Sequence, residues 1–218
     1  SIKMVCCKWW YIRIGCNKEM KHWPEDITLL GDYVRIDPLS VNHLNDLQDA
    51  VRDGELNLLW YTFIPNADDM LEEINKRLRL REMGSMQPFA IIDIATGLAV
   101  GMTTFMNIDA TNRRVEIGST WLSKSTQRTF INTECKLLLM AHAFEKLNCI
   151  AVEFRTHFIN TQSRKAIERL GAKFDGILRN HSTMPNGTLR DTAVYSIIKS
   201  EWPTVKSHLN FQLNKKRN

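Results

Sequence analysis

The residues best placed to do chemistry lie in the run from Arg114 to Glu134, R-V-E-I-G-S-T-W-L-S-K-S-T-Q-R-T-F-I-N-T-E. Its opening part alternates, which predicts a strand with Val115, Ile117, Ser119 and Trp121 on one face and Glu116, Gly118, Thr120 and Leu122 on the other. Ser123-Lys124-Ser125-Thr126 reads as a polar turn, and Gln127-Arg128-Thr129 leads straight into an apolar helix. A strand, a turn and a helix start gather unpaired backbone N–H groups at the positive end of a helix dipole, a place suited to phosphate. Such units also serve as plain connectors, so the neighbouring segments decide. Gly118 in mid-strand predicts a bulge or the close approach of a ligand. Elsewhere, Cys135 and Cys149 read as small core residues rather than nucleophiles. His157 and His181 could shuttle protons, a role that isolated histidines seldom play.

The elements that must position this run are set by periodicity. Tyr33 to Ile36 alternates as a strand and ends at Asp37-Pro38; Ser40 can cap a helix with Val41, Leu44, Leu47 and Val51 on one face, stopped by Asp53-Gly54. An apolar run from Leu58 to Ile64 is broken by Pro65, and Asn66, Asp68 and Asp69 open a second helix that ends at Gly84. Phe89 to Ile94 and Leu98 to Met106 form a hairpin about Ala95-Thr96-Gly97, and Asp109 to Asn112 turn the chain into the central strand. A nearly all-apolar helix from Asn132 to Leu147 should be buried on several sides. Ile150 to Phe154 is a buried strand, Asn160 caps a fourth helix ending at Gly171, and Phe174 to Leu178 and Ala193 to Ile198 are strands joined across Pro185-Asn186-Gly187. Trp202-Pro203 starts a short terminal helix. Hairpins make the sheet antiparallel early, and strand-helix-strand units make it partly parallel in the middle: one α/β domain.

Composition sets the bounds. A hydrophobic fraction of 44% with 24% charged residues suits a globular chain, and no apolar run approaches the ~18–20 residues of a membrane span. The net charge of +5 is concentrated at the ends: Lys3, Lys8, Arg13 and Lys18 against Glu19 at one, Lys215-Lys216-Arg217 at the other. The body between them is near neutral, so a body-wide nucleic-acid footprint is not indicated. Five cysteines, without C-x-x-C or zinc-ligand spacing, argue against a disulfide framework or a metal site and for a reducing cytoplasm. Residues 1–19, with Trp9-Trp10-Tyr11 and three of the cysteines, differ sharply in composition from the chain after Met20. They read as an extension outside the fold, with residues 20–210 as the domain and 211–218 as a basic tail.

Three segments then resemble the GCN5-related N-acetyltransferase (GNAT) superfamily, most closely its ribosomal-protein serine/alanine N-acetyltransferase branch: E-I-G-S-T-W-L from Glu116, Q-R-T-F-I-N-T-E-C-K from Gln127 and N-T-Q-S-R-K-A-I-E-R-L-G-A from Asn160. The resemblance implies a mixed, mostly antiparallel sheet splayed at its centre and flanked by helices on both faces. It implies acetyl-CoA, and no metal, held in a V between the strands Val115 to Leu122 and Ile150 to Phe158. The pantetheine arm would meet the unpaired backbone near Trp121 and Leu122, and the pyrophosphate the turn Gln127, Arg128, Thr129, Phe130, Ile131, Asn132 and Thr133. Asn160 and Arg164 complete the implied cofactor set. The sequence departs from the family's Gln/Arg-x-x-Gly-x-Gly/Ala signature by carrying Phe130 and Asn132, so the phenyl ring must point away from the phosphates.

By the same resemblance Glu116 is the general base, Ser163 is placed to protonate the departing thiolate or to complete a helix cap, and Trp60 and Tyr61 line the acceptor site. Glu168 stands where many members carry a tyrosine acid. The implied reaction is acetyl transfer to a primary amine, either a protein N-terminal α-amine or a small molecule, by direct attack, in a monomer or homodimer. A non-catalytic CoA-binding or ribosome-associated module is the alternative.

Overall fold

The computed structural model describes residues 23–215. Eight strands form one sheet in the order β1-β2-β3-β4-β5-β6-β8-β7. They are β1 (Leu29–Leu30), β2 (Val34–Pro38), β3 (Met86–Asp93), β4 (Ala99–Asp109), β5 (Arg114–Leu122), β6 (Ala151–His157), β7 (Lys173–Thr183) and β8 (Leu189–Ile198). The helices are α1 (Leu44–Arg52), α2 (Met70–Glu82), α3 (Ile131–Ala141), α4 (Thr161–Arg169) and α5 (Trp202–Asn214). The expected order of elements is present, with β1 added. The terminal helix, expected to be short, runs on through residues 211–214, which were expected to lie in the tail. The expectation for residues 1–19 falls outside the described residues.

Alternation along the strands separates two cores. Phe89 and Ile91 face α3, α4 and α5 with Phe105, Val115, Leu139, Val152, Phe154, Ile167 and Val205. Ala90 and Ile92 face α1 and α2 with Leu47, Val51, Met70, Ile74 and Met102. Fully burying each large side chain contributes ~1.5–3 kcal/mol, so both sheet faces are needed to fix the register.

Glu134, in the first turn of α3, staples the sheet edge to that core. Its buried carboxylate accepts backbone N–H bonds from Asp32, Tyr33 and Val34 at 2.7–2.9 Å. Gly31 makes room for it: a Cβ there would lie 2.4 Å from the Glu134 Cδ. The end of the α3 segment is a π-turn over His142–Lys146, closed by Leu147 N–H on the His142 carbonyl at 3.0 Å.

Two features shape the centre. β5 and β6 are the parallel pair, and they share only three rungs: Arg114 with Ala151, Val115 with Val152 and Glu116 with Glu153. Beyond Glu116 the strands part. On its other side β5 carries a bulge against β4, because Thr104 pairs Gly118 while Met102 pairs Trp121. The extra residue is exposed Ser119, in the left-handed region at φ 47°. It reverses the faces beyond it. Trp121 therefore packs with α1 and α2, and Leu122 joins Val115 and Ile117 on the α3 side, opposite to the strict alternation expected for them.

Candidate active site

Glu116 occupies the last paired rung, at the apex of the opening between β5 and β6. It is 4% exposed. Burial pushes its carboxyl above the ordinary value, opposed by a hydrogen bond from Asn107 and the charge of Arg155. Asn107 Nδ2 donates to Glu116 Oε2 at 2.5 Å, and Arg155 Nε lies 3.4 Å from the same oxygen. Asn107 can reach because β4 has its own irregularity there, with Asn107 at φ 46° between the pairs Met106–Glu116 and Asp109–Arg114. Gly118 is explained by the same carboxylate: a Cβ would sit 2.7 Å from Glu116 Oε1 and 2.7 Å from Met106 Sδ. Glycine thus serves the close approach of the chain's own acid.

Glu153 anchors the charges behind Glu116, accepting from Arg114 and from Arg155 Nη2 at 2.8 Å. On the α3 side of the bulge, buried Lys136 donates from Nζ to Thr120 Oγ1 at 2.6 Å, and Thr120 is 2.8 Å from Thr103 Oγ1. Desolvation pulls Lys136 down to about 8.

The open edge of β5 runs from Gly118 to Leu122 and ends at the turn into α3. Gln127 Nε2 donates to the Leu122 carbonyl at 3.0 Å, tying that turn to the strand. Arg128 is exposed at φ 61°, and Thr129 Oγ1 donates to the Thr126 carbonyl at 2.7 Å and accepts from Ile131 N–H at 3.3 Å. Asn132 and Thr133 lie in the first turn of α3, ahead of any acceptor inside the helix, so their N–H groups belong to the helix's anion-attracting end. Phe130 is the N-cap, and its ring stacks on Tyr33 at 4.9 Å. The phenyl side chain points to the sheet edge, as the departure from glycine requires. A strand edge without a neighbour, ending at a helix N-terminus, fits a pantetheine–pyrophosphate chain. The side chains of Trp121 and Leu122 lie in the cores, which leaves their backbone for that purpose.

Across the opening, Asn160 caps α4 by accepting the Ser163 N–H at 3.0 Å. Ser163 is half-buried one turn into the helix. Arg164 is held by Tyr195 and the Phe158 ring: its Nε is 2.9 Å from the Tyr195 hydroxyl, and its guanidinium carbon 4.7 Å from the ring centroid. Glu168 accepts the Tyr195 hydroxyl at 2.9 Å. Trp60 and Tyr61 lie in the α1–α2 loop, where Trp60 meets the His157 ring edge-on at 5.5 Å. Trp60 thereby belongs to the wall at the far end of β6. His181 is exposed on β7, 3.0 Å from Thr192 Oγ1. Cys135 and Cys149 are fully buried, with thiols pushed up to about 11 by desolvation, which suits core residues.

Asn107, Lys136, Arg155, Arg190 and Tyr195 were not singled out by sequence reasoning. Glu153, Arg155 and His157 alternate as polar residues along β6, a signal that was legible. Tyr195 and Lys136 sit inside apolar segments, and their contacts are long-range.

Comparison with known proteins bears on the family and the fold. The sequence model of the acetyltransferase (GNAT) domain matches residues 34–173. A Bacillus subtilis (strain 168) protein named "Putative ribosomal N-acetyltransferase YdaF" is 34% identical over 174 residues, covering 77% of this chain and 90% of that protein. The crystal structure of a GCN5-related N-acetyltransferase from Brucella melitensis is 33% identical, covers 87% of this chain and 86% of its own, and superposes with a TM-score of 0.79. RimL, a ribosomal L7/L12 α-N-protein acetyltransferase solved in complex with coenzyme A, shares the fold at a TM-score of 0.66 with 17% identity, over 79% of this chain and 98% of its own.

Proposed function

The chain belongs to the GNAT acetyltransferase family and is an acetyl-CoA-dependent acyltransferase, and on that premise we propose that its acceptor is the α-amine of a protein N-terminus. Acetyl-CoA supplies an acyl group activated as a thioester. The chain's own residues do the rest. Gly118 to Leu122 offer an unpaired strand edge, and the first turn of α3 offers backbone N–H groups to phosphate. Glu116 accepts the proton that the amine must lose, directly or through one water, because an ammonium cannot attack. Ser163, beside the Asn160 cap, is the proposed proton donor to the leaving sulfur.

The observation that carries this reading is the position of Glu116, a buried carboxylate at the point where β5 and β6 part. A terminal α-amine has an unperturbed pKa of ~7.7–8.0 and asks little of such a base, whereas a lysine at ~10.4 asks more. The naming of the 34%-identical relative as a ribosomal N-acetyltransferase supports the same acceptor class. Thiol release from acetyl-CoA, monitored with peptides bearing free or blocked N-termini and with small amines, tests it. Transfer to free N-termini and not to blocked peptides is expected; transfer confined to small amines would overturn the proposal.

A further inference from the structure

Past the end of β6, two hydrogen-bond donors converge without protein acceptors that satisfy them. Arg190 stands near the start of β8, half-buried between that strand and the α1–α2 loop, its guanidinium carbon 6.0 Å from the Phe63 ring centroid. Its Nε donates to Thr192 Oγ1 at 3.0 Å. Among the described residues no carboxylate lies within ion-pairing distance of it, whereas Arg114 and Arg155 share Glu153, and Arg179 holds Asp191 at 2.6 Å. The charge it does feel is that of Glu116, against the desolvation that lowers its pKa.

His157 is the second donor. It is 4% exposed, and its Nδ1 accepts the Ile159 N–H at 3.2 Å, which puts the proton of the neutral ring on Nε2. Nε2 is buried and has no partner. The register places His157 opposite Thr192, two residues from Arg190, and the Trp60 ring closes over the imidazole. A buried ring N–H and a partly desolvated guanidinium each lose free energy unless an acceptor meets them. A cation, such as the second amine of a polyamine, would be repelled here by Arg190.

Resting on the N-terminal acceptor proposed above, we infer that Arg190 and His157 form an anion-reading subsite, selecting protein N-termini that carry an aspartate or glutamate carboxylate close to the α-amine. With the amine directed to Glu116, the acidic side chain would reach the guanidinium, flanked by the Trp60 and Phe63 rings, and take the His157 Nε2–H. Both are positioning contacts, made to a part of the acceptor that does not react.

The test compares three peptides of equal length that differ only in the second residue, Asp, Asn or Lys, with the full chain and acetyl-CoA. The Asp peptide is expected to exceed the Lys peptide by about tenfold or more in kcat/KM, chiefly through KM, as electrostatic complementarity predicts. That ratio should shrink as salt is raised. Arg190→Gln should bring it near one, and Arg190→Glu should reverse it. Equal use of the three peptides by the parent, or a ratio that neither salt nor Arg190→Gln moves, overturns the inference while leaving N-terminal acetylation standing. The salt series needs no variant, so a misfolded Arg190→Gln does not spare the inference. Transfer to small amines with every peptide inert overturns the N-terminal acceptor, and this subsite with it.

Discussion

Burial gives Glu116 its chemistry and its cost. Glu116→Gln keeps the size of the side chain and its contact with Arg155 but cannot take a proton. A positioned base is worth ~10²–10⁴ in rate, so kcat should fall at least ~10-fold with acetyl-CoA affinity unchanged, and raising the pH should restore part of the loss. Parental turnover near neutral pH would remove Glu116 from the mechanism. The same substitution has a stability sign. The folded pKa lies above the ordinary 4.5, so ionisation is penalised in the fold: stability is greatest below 4.5 and is lost as pH rises through the folded value. Glu116→Gln should therefore melt above the parent at neutral pH, with the gap closing in acid. Lys136 behaves oppositely. Pulled from 10.5 to about 8, it leaves the fold most stable above 10.5 and costs stability as pH falls through about 8. Lys136→Met should flatten that alkaline rise in a melting series; an unchanged slope would show that another group causes it. Neither environment was legible in the sequence, because Asn107 reaches Glu116 through a local irregularity and Lys136 meets Thr120 across the packing of a helix on a strand.

At the scale of elements, periodicity located nearly everything, and it failed where one residue breaks the period. The alternation from Val115 is right up to Gly118 and inverted from Trp121 onward, because Ser119 has no partner on β4. The run from Leu58 to Ile64 is apolar without a period, and Leu58 and Phe63 are more than half exposed in the α1–α2 connection over the far ends of β6 and β8. Glu134 was read only as part of a motif, since its three backbone donors lie 100–102 residues away. Its removal should be costly. Hydrogen bonds to a charged acceptor are worth ~1.5–3 kcal/mol, and three N–H groups would lose theirs, so Glu134→Ala should destabilise by roughly 3 kcal/mol or more in urea unfolding. Gly31→Ala should weaken the same joint by intruding on the carboxylate. Because both act on one contact, the double variant should lose less than the sum. Strict additivity would mean that the staple does not couple the edge to α3.

For the molecule as a whole, the family resemblance named the architecture, and the structure supplies the reason it can bind. Six antiparallel pairings accompany one parallel pairing of three rungs, so inside its short edge strand β1 the sheet is least paired where the donor is proposed to enter. Acetyl-CoA held along β5 would satisfy backbone groups that have no partner on β6. At about 100-fold excess over Kd, a ligand that binds only the folded state adds ~2.7 kcal/mol, which a thermal shift should register. Hydrogen exchange should slow from Gly118 to Leu122 and in the first turn of α3. Binding without such local protection would place the donor elsewhere on the surface.

Ser119 has a further consequence, for mutational tolerance. The central strand changes phase there, and phase is invisible to replacement. Many side chains can occupy an exposed position, and Gly should suit it best at a φ of 47°. A substitution scan would therefore score Ser119 as permissive. Removing it should cost little as well: one residue on each strand would then lie between the pairs Thr104–Gly118 and Met102–Trp121, and Trp121 and Leu122 would keep their faces. A scan of single-residue deletions should find β5 most forgiving at this position, so the two maps of the same strand should agree there and part at its paired residues.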